Sequence, residues 1–174
     1  MTLYRSDLRE MAAQALRDAD TLAGENVFTA RSWPVTPAAL PTIQLQVPED
    51  DGESMGRSAQ GFTRVANLAI RAKVLGGTPE KAELTAEVIG EQIEMALMCS
   101  AALQEAIQQV THLRSSLVID SSGRNHIAEL RILMGLEYSE YFPPPGTPLA
   151  EIKGQMQAEG NPDFADMAVP FPQN

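Results

Sequence analysis

The sequence is poor in the residues that perform chemistry or cross-link a chain. Among its 174 residues are one cysteine, two histidines and 5% aromatic side chains. The lone cysteine, Cys99, cannot form an internal disulfide, so nothing in the sequence indicates an oxidising compartment. Cys99 lies in an apolar stretch, residues 95–102, where a free cysteine typically serves as a small core residue. We therefore expect Cys99 to be buried rather than to act as a nucleophile.

Long apolar runs are also missing from the sequence. No segment reaches the roughly 18 consecutive apolar residues that a membrane-spanning helix needs. The first ten residues carry charges where a signal peptide has its apolar centre. We expect a protein that contacts no membrane and folds where it is made, by default the cytoplasm.

Positive charge is scarce. Thirteen basic residues face 23 acidic ones, which gives a formal net charge of −10 and an isoelectric point near 4.6. Sequence-independent binding of nucleic acids depends on clustered Lys and Arg side chains, and here the basic residues are scattered along the chain. The overall field repels DNA, so we expect no specific binding of nucleic acid.

What the sequence does contain is a series of clear apolar periods. Residues 3–22 have the three-and-four spacing of an amphipathic helix. Residues 42–48 and 62–75 alternate between apolar and polar side chains, which predicts two half-buried strands. Pro79 after Thr78 predicts a helix start, and a second helical piece is expected over residues 101–113. The expected buried stripe of the first of these two helices comprises Leu84, Val88, Ile89, Ile93, Ala96 and Leu97.

The last folded segment reads as a hairpin. Residues 116–120 lead into a turn at 121–125, and a long alternating strand follows from about His126 to Tyr138 or beyond. The predicted order is α-β-β-α(α)-β-β. This order predicts an α+β fold with a mainly antiparallel or mixed sheet and helices packed on one face.

Two segments lack an apolar period. Residues 49–61 contain three glycines and an acidic cluster, and we expect them to form a long mobile loop. From Pro143 onward the chain is rich in proline and acidic residues. We expect residues 1–142 to form the folded domain and residues 143–174 an extended C-terminal tail, with a helical turn near residues 149–158.

One motif resembles that of a serine hydrolase. Gly52-Glu-Ser54-Met-Gly56 matches the G-x-S-x-G pattern, and Asp120 and His126 follow it in the order of a catalytic triad. In a hydrolase this turn joins a buried strand to a helix, whereas here it lies in a polar, glycine-bearing segment. A small hydrolase using Ser54 is therefore an alternative, and we favour a protein that is not an enzyme.

Metal and cofactor sites have no better support. His112 and His126 lack the spacing of paired metal ligands, and the acidic run at residues 49–53 lacks the alternating ligands of a calcium loop. Gly76-Gly77 precedes a helix, yet no lysine or serine of a phosphate-binding loop follows in register. We expect no catalytic residue, no metal and no cofactor.

Several phrases of the sequence resemble the phage tail terminator (minor tail protein) family. The similarity covers roughly residues 3–142. The phrases that carry it are Leu8-Arg-Glu-Met-Ala-Ala-Gln-Ala-Leu16, Ala23-Gly-Glu-Asn-Val-Phe28 with Arg31, Leu40-Pro-Thr-Ile43, Leu75-Gly-Gly-Thr-Pro79 and Leu136-Glu-Tyr138. The loop expected at 49–61 and the acidic tail beyond 142 depart from the usual size of the family.

The resemblance implies a structural virion protein rather than an enzyme. Members of this family form a ring, typically of six subunits, on the last layer of the tail tube. The ring ends polymerisation of the tube protein and offers its other face to the head-tail connector and neck proteins. The partners implied are copies of the chain itself, the tube protein and the connector, with DNA passing through the lumen; the implied location is the virion, and the host cytoplasm during assembly.

A ring needs interfaces, and the segments without an apolar period are the candidates. We single out the 49–61 loop, the 121–125 turn and the tail beyond residue 142. The candidate interface residues are Asp50, Asp51, Arg57, Arg124, Tyr141 and Phe142. Besides the hydrolase, the alternatives are another neck or tail-completion protein and an adaptor recognised through residues 143–145.

Overall fold

The computed structural model describes residues 3–29, 36–57, 60–120, 126–142, 151–154 and 167–170. Contacts between Cα atoms divide the chain into two compact units, Met1–Tyr141 and Phe142–Asn174. Within the described residues, no helix is both long enough and apolar enough to cross a membrane.

A five-stranded mixed sheet forms the centre of the first unit. Its strands lie in the order β1-β2-β3-β5-β4. β1 pairs parallel to β2, and the other three pairings are antiparallel. The strands are β1 (Val27–Thr29), β2 (Thr42–Ser54), β3 (Gly61–Leu75), β4 (Gln109–Asp120) and β5 (Ile127–Tyr141). The expected α+β class with a mixed sheet and helices on one face is confirmed.

Three helices accompany the sheet: α1 (Tyr4–Asp18), α2 (Pro79–Met98) and the short α3 (Ala101–Ala106). The predicted start of α2 is correct, since the Thr78 hydroxyl accepts a hydrogen bond from the Lys81 amide at 3.3 Å. Ser100 caps α3 in the same way. A single 3-10 turn, Pro37–Ala39, precedes β2.

The core lies between the helices and one face of the sheet. Alternate residues of the central strands point to this face, among them Leu68 and Ile70 of β3 and Met134 and Leu136 of β5, all at most 1% exposed. Burial of each side chain of this size stabilises the fold by about 2 kcal/mol. The register of the strands is thereby specified, because a slip by one residue would turn these side chains to the other face.

The buried side of α2 differs from the predicted stripe. Leu84 and Val88 are 56% and 46% exposed, whereas Ala82, Ala86 and Gly90 are buried. A Cβ atom added to Gly90 would lie 2.8 Å from a methyl carbon of Leu130. Ile89, Ile93 and Leu97 are buried as predicted, and the small residues beside them let the helix approach the sheet closely, which turns Leu84 and Val88 toward solvent.

The expected loop over residues 49–61 is wrong for most of its length. β2 continues through Ser54, and residues 49–54 pair antiparallel with residues 62–67 of β3. A register shift between Gln46 and Glu49 marks a bulge in β2. This extension needs no apolar face, because backbone hydrogen bonds and polar cross-strand pairs hold it to β3.

A second correction concerns the segment after α2. Helix α3 ends at Ala106, and residues 109–120 form β4, where a helix to residue 113 was expected. His112 is consequently a strand residue. Pairing with β5 along the whole length of β4 explains the difference, because it outweighs a weak local helical pattern. Cys99, expected in the core, is exposed at the end of α2.

The second unit contains a short antiparallel pair of strands, β6 (Glu151–Gly154) and β7 (Met167–Pro170). Glu151 is the Cα partner of Pro170, and Gly154 is that of Met167. The helical turn expected near residues 149–158 is therefore a strand at residues 151–154.

Candidate assembly interface

The sheet has two borders without a neighbouring strand in the described part of the chain. One border is β4, which spans 12 residues. The other belongs to β2, because β1 pairs only with Ile43–Leu45 and leaves residues 46–54 uncovered. Each border presents unpaired backbone N–H and C=O groups, which can template a further strand. We refer to them as the β4 edge and the β2 edge.

The β4 edge is largely solvent-exposed, although Val110, Leu117 and Ile119 on its helix-facing side pack partly against the core. Leu113 and Val118 are 43% and 51% exposed, and most other β4 side chains are exposed as well. An edge strand of this length and exposure is a liability for a monomer, which would aggregate through it. Its length is explained if the edge is covered by a partner.

The two edges run in opposite directions. Successive antiparallel pairings of β2 with β3, β3 with β5 and β5 with β4 make β4 antiparallel to β2. If a second copy lies beside the first with its strands pointing the same way, the β2 edge of the second copy is therefore antiparallel to the β4 edge of the first. Backbone geometry alone thus permits one sheet to continue from copy to copy.

A polar network holds the end of the sheet where the β2 edge lies. The Arg64 guanidinium contacts the Asp50 carboxylate at 3.0 Å and the Glu140 carboxylate at 2.6 Å. The Tyr138 hydroxyl donates a hydrogen bond of 3.1 Å to the same Asp50 carboxylate. Burial lowers the pKa of Arg64, but hydrogen bonds to Glu140 and Asp50 outweigh it, so the net shift is upward. The network ties β2, β3 and β5 together outside the apolar core.

Tyr138 links this network to the core. Its ring centroid lies 4.8 Å from that of Tyr4 in α1, and the Tyr4 hydroxyl donates to the Ala106 carbonyl at 2.7 Å. Burial raises the pKa of Tyr138, and the neighbouring Asp50 carboxylate raises it further. The phenol therefore stays protonated and acts as a hydrogen-bond donor throughout the physiological pH range.

The structure places the predicted interface residues in different settings. Asp50 is engaged inside the molecule, with its side chain 3% exposed. Asp51 is exposed on β2 and accepts a hydrogen bond from the Asn67 amide at 3.3 Å. Arg57 is exposed in the turn that follows β2.

Of the two aromatic candidates, Tyr141 ends β5 at the same end of the sheet. Tyr141 is 68% and Phe142 47% exposed, and Tyr141 is the Cα partner of Gly61 at the start of β3. Arg124 lies outside the described residues. The strands on either side of residues 121–125 meet at the opposite end of the sheet, where Asp120 pairs with Ile127.

The sequence reasoning missed the β4 edge. Its first residues, 109–113, are predicted as helix, so the sequence offers neither Leu113 nor Arg114 as an interface residue. The β-branched pair Val110-Thr111 was the available signal, since such residues favour strands. Residues 111–116 are all exposed and show no apolar alternation, which explains why the sequence pattern did not predict a strand over the first half of β4.

A groove also lies between α2 and β4. Its volume is about 560 Å³, and its lining includes Gly90, Met95, Met98 and Leu117 with Glu87 and Glu91 on α2. The lining combines apolar methionine side chains with carboxylates and the hydroxyls of Ser115 and Ser116.

The arrangement needed for the Ser54 alternative is not formed. Ser54 pairs with Phe62 at one end of β3, whereas the backbone carbonyl of His126 accepts a hydrogen bond from the Gly76 amide just beyond the other end. A strand of 15 residues separates them, about 45 Å at strand spacing. The Ser54 hydroxyl instead accepts a hydrogen bond from the Gly56 amide at 3.2 Å.

Comparison with known proteins gives a likeness at the level of fold. No protein-family model matches the chain, and no curated protein matches it. Among solved structures, a chain of the "Virion of native gene transfer agent (GTA) particle" is similar with 16% sequence identity and a TM-score of 0.45. The match covers 73% of this chain and 92% of that chain. At this identity and TM-score, the likeness supports no conclusion about what the chain does.

Proposed function

We propose that this chain is a structural protein of a phage-type virion that assembles into a ring of identical copies. In this proposal the ring caps the tail tube, ends its polymerisation and joins it to the head connector, and the chain is not an enzyme. The resemblance of its sequence to tail terminators suggests the role. The observation that carries it is the presence of two uncovered strand edges, antiparallel to each other, at opposite borders of one sheet in the described part of the chain.

These edges suit a head-to-tail interface. Each copy offers the β4 edge to one neighbour and the β2 edge to the other, so a single kind of contact between copies covers both exposed edges. A head-to-tail contact repeats until the rotation closes, which generates a ring. Backbone hydrogen bonds supply the attraction, as in other cases of strand addition.

Native mass spectrometry of the purified chain tests the assembly. We expect one closed oligomer, visible as a ring in negative-stain electron images. Leu113→Lys on the β4 edge should shift the protein to monomers, because a charged side chain on an edge strand, here on the helix-facing side that Leu113 shares with Met134, opposes the addition of a further strand. Leu22→Lys is the matched control, since Leu22 is equally exposed at 45% but lies outside the sheet.

The position in the virion requires a second measurement. Mixing the oligomer with polymerising tube subunits should cap the tubes and shorten them, and a virus lacking the protein should produce overlong tails without heads. A chain that remains monomeric at every concentration, or that leaves tube length unchanged, contradicts the proposal. An oligomer that binds the neck but not the tube would indicate a neck protein instead.

A further inference from the structure

The face of the sheet that is turned away from α1 and α2 has opposite charges at its two ends. Side chains alternate along each strand, so the residues flanking the buried ones point to this outer face. At one end these residues are mainly basic: Arg71 and Lys73 of β3, Arg131 of β5 and Arg114 of β4 outnumber the carboxylates of Glu129 in β5 and Asp120 in β4. At the other end they are acidic: Glu49, Asp51 and Glu53 of β2 and Glu137 of β5.

The basic end has too few carboxylates of its own. Arg71 and Arg131 are direct cross-strand partners, a placement that is unfavourable for like charges. Glu129 contacts Lys73 at 3.1 Å and Arg131 at 2.6 Å, and so compensates for part of the charge. In the described part of the chain, Arg114 forms no ion pair, and it lines with Arg71 and Arg131 a pocket of about 180 Å³.

The acidic end lies on the β2 edge itself. Glu49, Asp51 and Glu53 are all exposed, and they occupy alternate positions of the uncovered segment 46–54. Arg114 points to the same face on the β4 edge; traced across β5 and β3 it is level with Gln46, so an offset of two residues between copies sets it opposite Glu49 and diagonal to Asp51. The β4 edge also carries Asp120 on this face, at its far end, so the contact that unlike charges can make is the one between Arg114 and the acidic row.

This distribution distinguishes the possible pairings. If the β2 edges of two copies met, the acidic rows of both copies would lie on one face of a two-strand seam. If two β4 edges met in a register centred on Arg114, the arginines of both copies would be brought together; centred on Leu117, Arg114 of each copy would face Asp120 of the other. β4 against β2 sets Arg114 beside an entire row of carboxylates, and directly opposed side chains in antiparallel strands are about 5 Å apart at Cβ.

We propose that charge segregation on the outer face selects head-to-tail pairing, in which Arg114 of one copy contacts Glu49 and Asp51 of the next. This inference rests on the proposed ring and adds to it the partner residues and the reason for a ring rather than a two-fold dimer. Like charges disfavour the pairing of two β2 edges, and the row of carboxylates on β2 offers Arg114 more unlike contacts than a second β4 edge does.

A charge exchange between copies tests the inference. Arg114→Glu alone sets a carboxylate of one copy against the Asp51 carboxylate of the next, and Asp51→Arg alone sets two guanidinium groups against each other. Each variant should therefore need at least about tenfold more protein to assemble. Mixed in equal amounts, the two variants can form two kinds of favourable seam. In one, the substituted position 114 of one copy meets the substituted position 51 of the next; in the other, the original Arg114 meets the original Asp51.

The composition of the mixed assemblies gives the readout. In a ring that alternates the two variants, every second seam sets a new carboxylate against a new guanidinium, and the remaining seams keep the original Arg114 and Asp51. Native mass spectrometry should then show rings that contain only even numbers of subunits, or pairs derived from them, with the two variants in equal number.

Two controls accompany the exchange. Arg71→Glu changes the charge of the same face on an inner strand and should leave assembly unchanged. Far-UV circular dichroism and the unfolding midpoint establish that each variant is folded.

Several outcomes would overturn the inference. Rings of normal stability from either variant alone would refute it, while the proposed ring would stand. A mixture that fails to assemble would refute the contact between Arg114 and the acidic row. If Arg114→Glu abolished binding to heparin or duplex DNA but not assembly, the basic end would serve a polyanion instead. A wild-type chain that never assembles would contradict the proposed function itself.

Discussion

The polar network at the end of the sheet allows a quantitative prediction. Replacing Arg64 by Met retains the apolar stem, which packs along the strand, and removes the guanidinium. The Asp50 carboxylate, 3% exposed, then keeps only the Tyr138 hydroxyl as a described partner, and Glu140 loses its contact of 2.6 Å. The variant leaves a nearly buried charge without its counter-charge.

The expected cost follows from the burial of the three groups. Breaking a fully buried ion pair on one side costs about 3–5 kcal/mol. Here the side chains of Arg64 and Glu140 are 27% and 26% exposed, so water recovers part of this energy. We expect Arg64→Met to lower the free energy of unfolding by about 2–3 kcal/mol.

Urea unfolding followed by circular dichroism measures this difference. All variants are compared at one protein concentration, because assembly makes apparent stability depend on concentration. Arg71→Met is the matched control, since Arg71 is exposed and forms no ion pair with the residues that the structure describes; its cost should stay below about 0.5 kcal/mol.

A double variant gives the sharper check. Asp50→Asn together with Arg64→Met removes both charges, so it should cost less than the sum of the single changes, with a coupling energy of about 1–2 kcal/mol. Additive costs, or an Arg64→Met variant as stable as the Arg71→Met control, would refute the role assigned to the network.

Two further predictions concern the same sheet. Burial raises the pKa of Glu129, but hydrogen bonds from Arg131 and Lys73 outweigh this and leave the pKa below its ordinary value of 4.5. Its contribution is therefore present above pH 4.5 and lost as the pH falls through the lowered pKa; Glu129→Gln should cost about 0.5–1 kcal/mol at pH 7 and progressively less as the pH falls below 4.5, measured by urea unfolding. Gly135→Ala should cost about 1–3 kcal/mol in the same assay, because the added methyl would meet the side chains of Thr111 and His112 beside the bulge in β4. An Ala variant as stable as the wild type would speak against the pairing of β4 with β5 at this point.

The elements that could be predicted from the sequence are those whose pattern reflects burial. β3 and β5 alternate because one of their faces contacts the helices, and α2 starts where Thr78 and Pro79 indicate. These local signals agree with the tertiary structure.

The elements that could not be predicted are held by backbone pairing or by small residues. Residues 49–54 and 109–115 have no buried stripe, so their strand character depends on partners distant in sequence. The exposure of Leu84 could not be predicted from the sequence either, because it depends on how closely Gly90 and its small neighbours let α2 approach Leu130. The candidate interface belongs to this unpredictable class, since the acidic run around Asp51 has the sequence character of a solvated loop.

The polar network and the proposed interface are physically connected. The outer half of β2 lies beyond the apolar core, and Asp50 is the residue through which Arg64 and Tyr138 hold it to β3 and β5. Neighbouring residues of the same strand, Glu49 and Asp51, point to the opposite face and carry the charges proposed to meet Arg114. Because side chains alternate along β2, Asp50 holds the β2 edge in place on one face, while Glu49 and Asp51 offer their charges to a second copy on the other face. Loss of Arg64 should therefore weaken assembly as well as folding, although Arg64 contacts no second copy in the proposed ring.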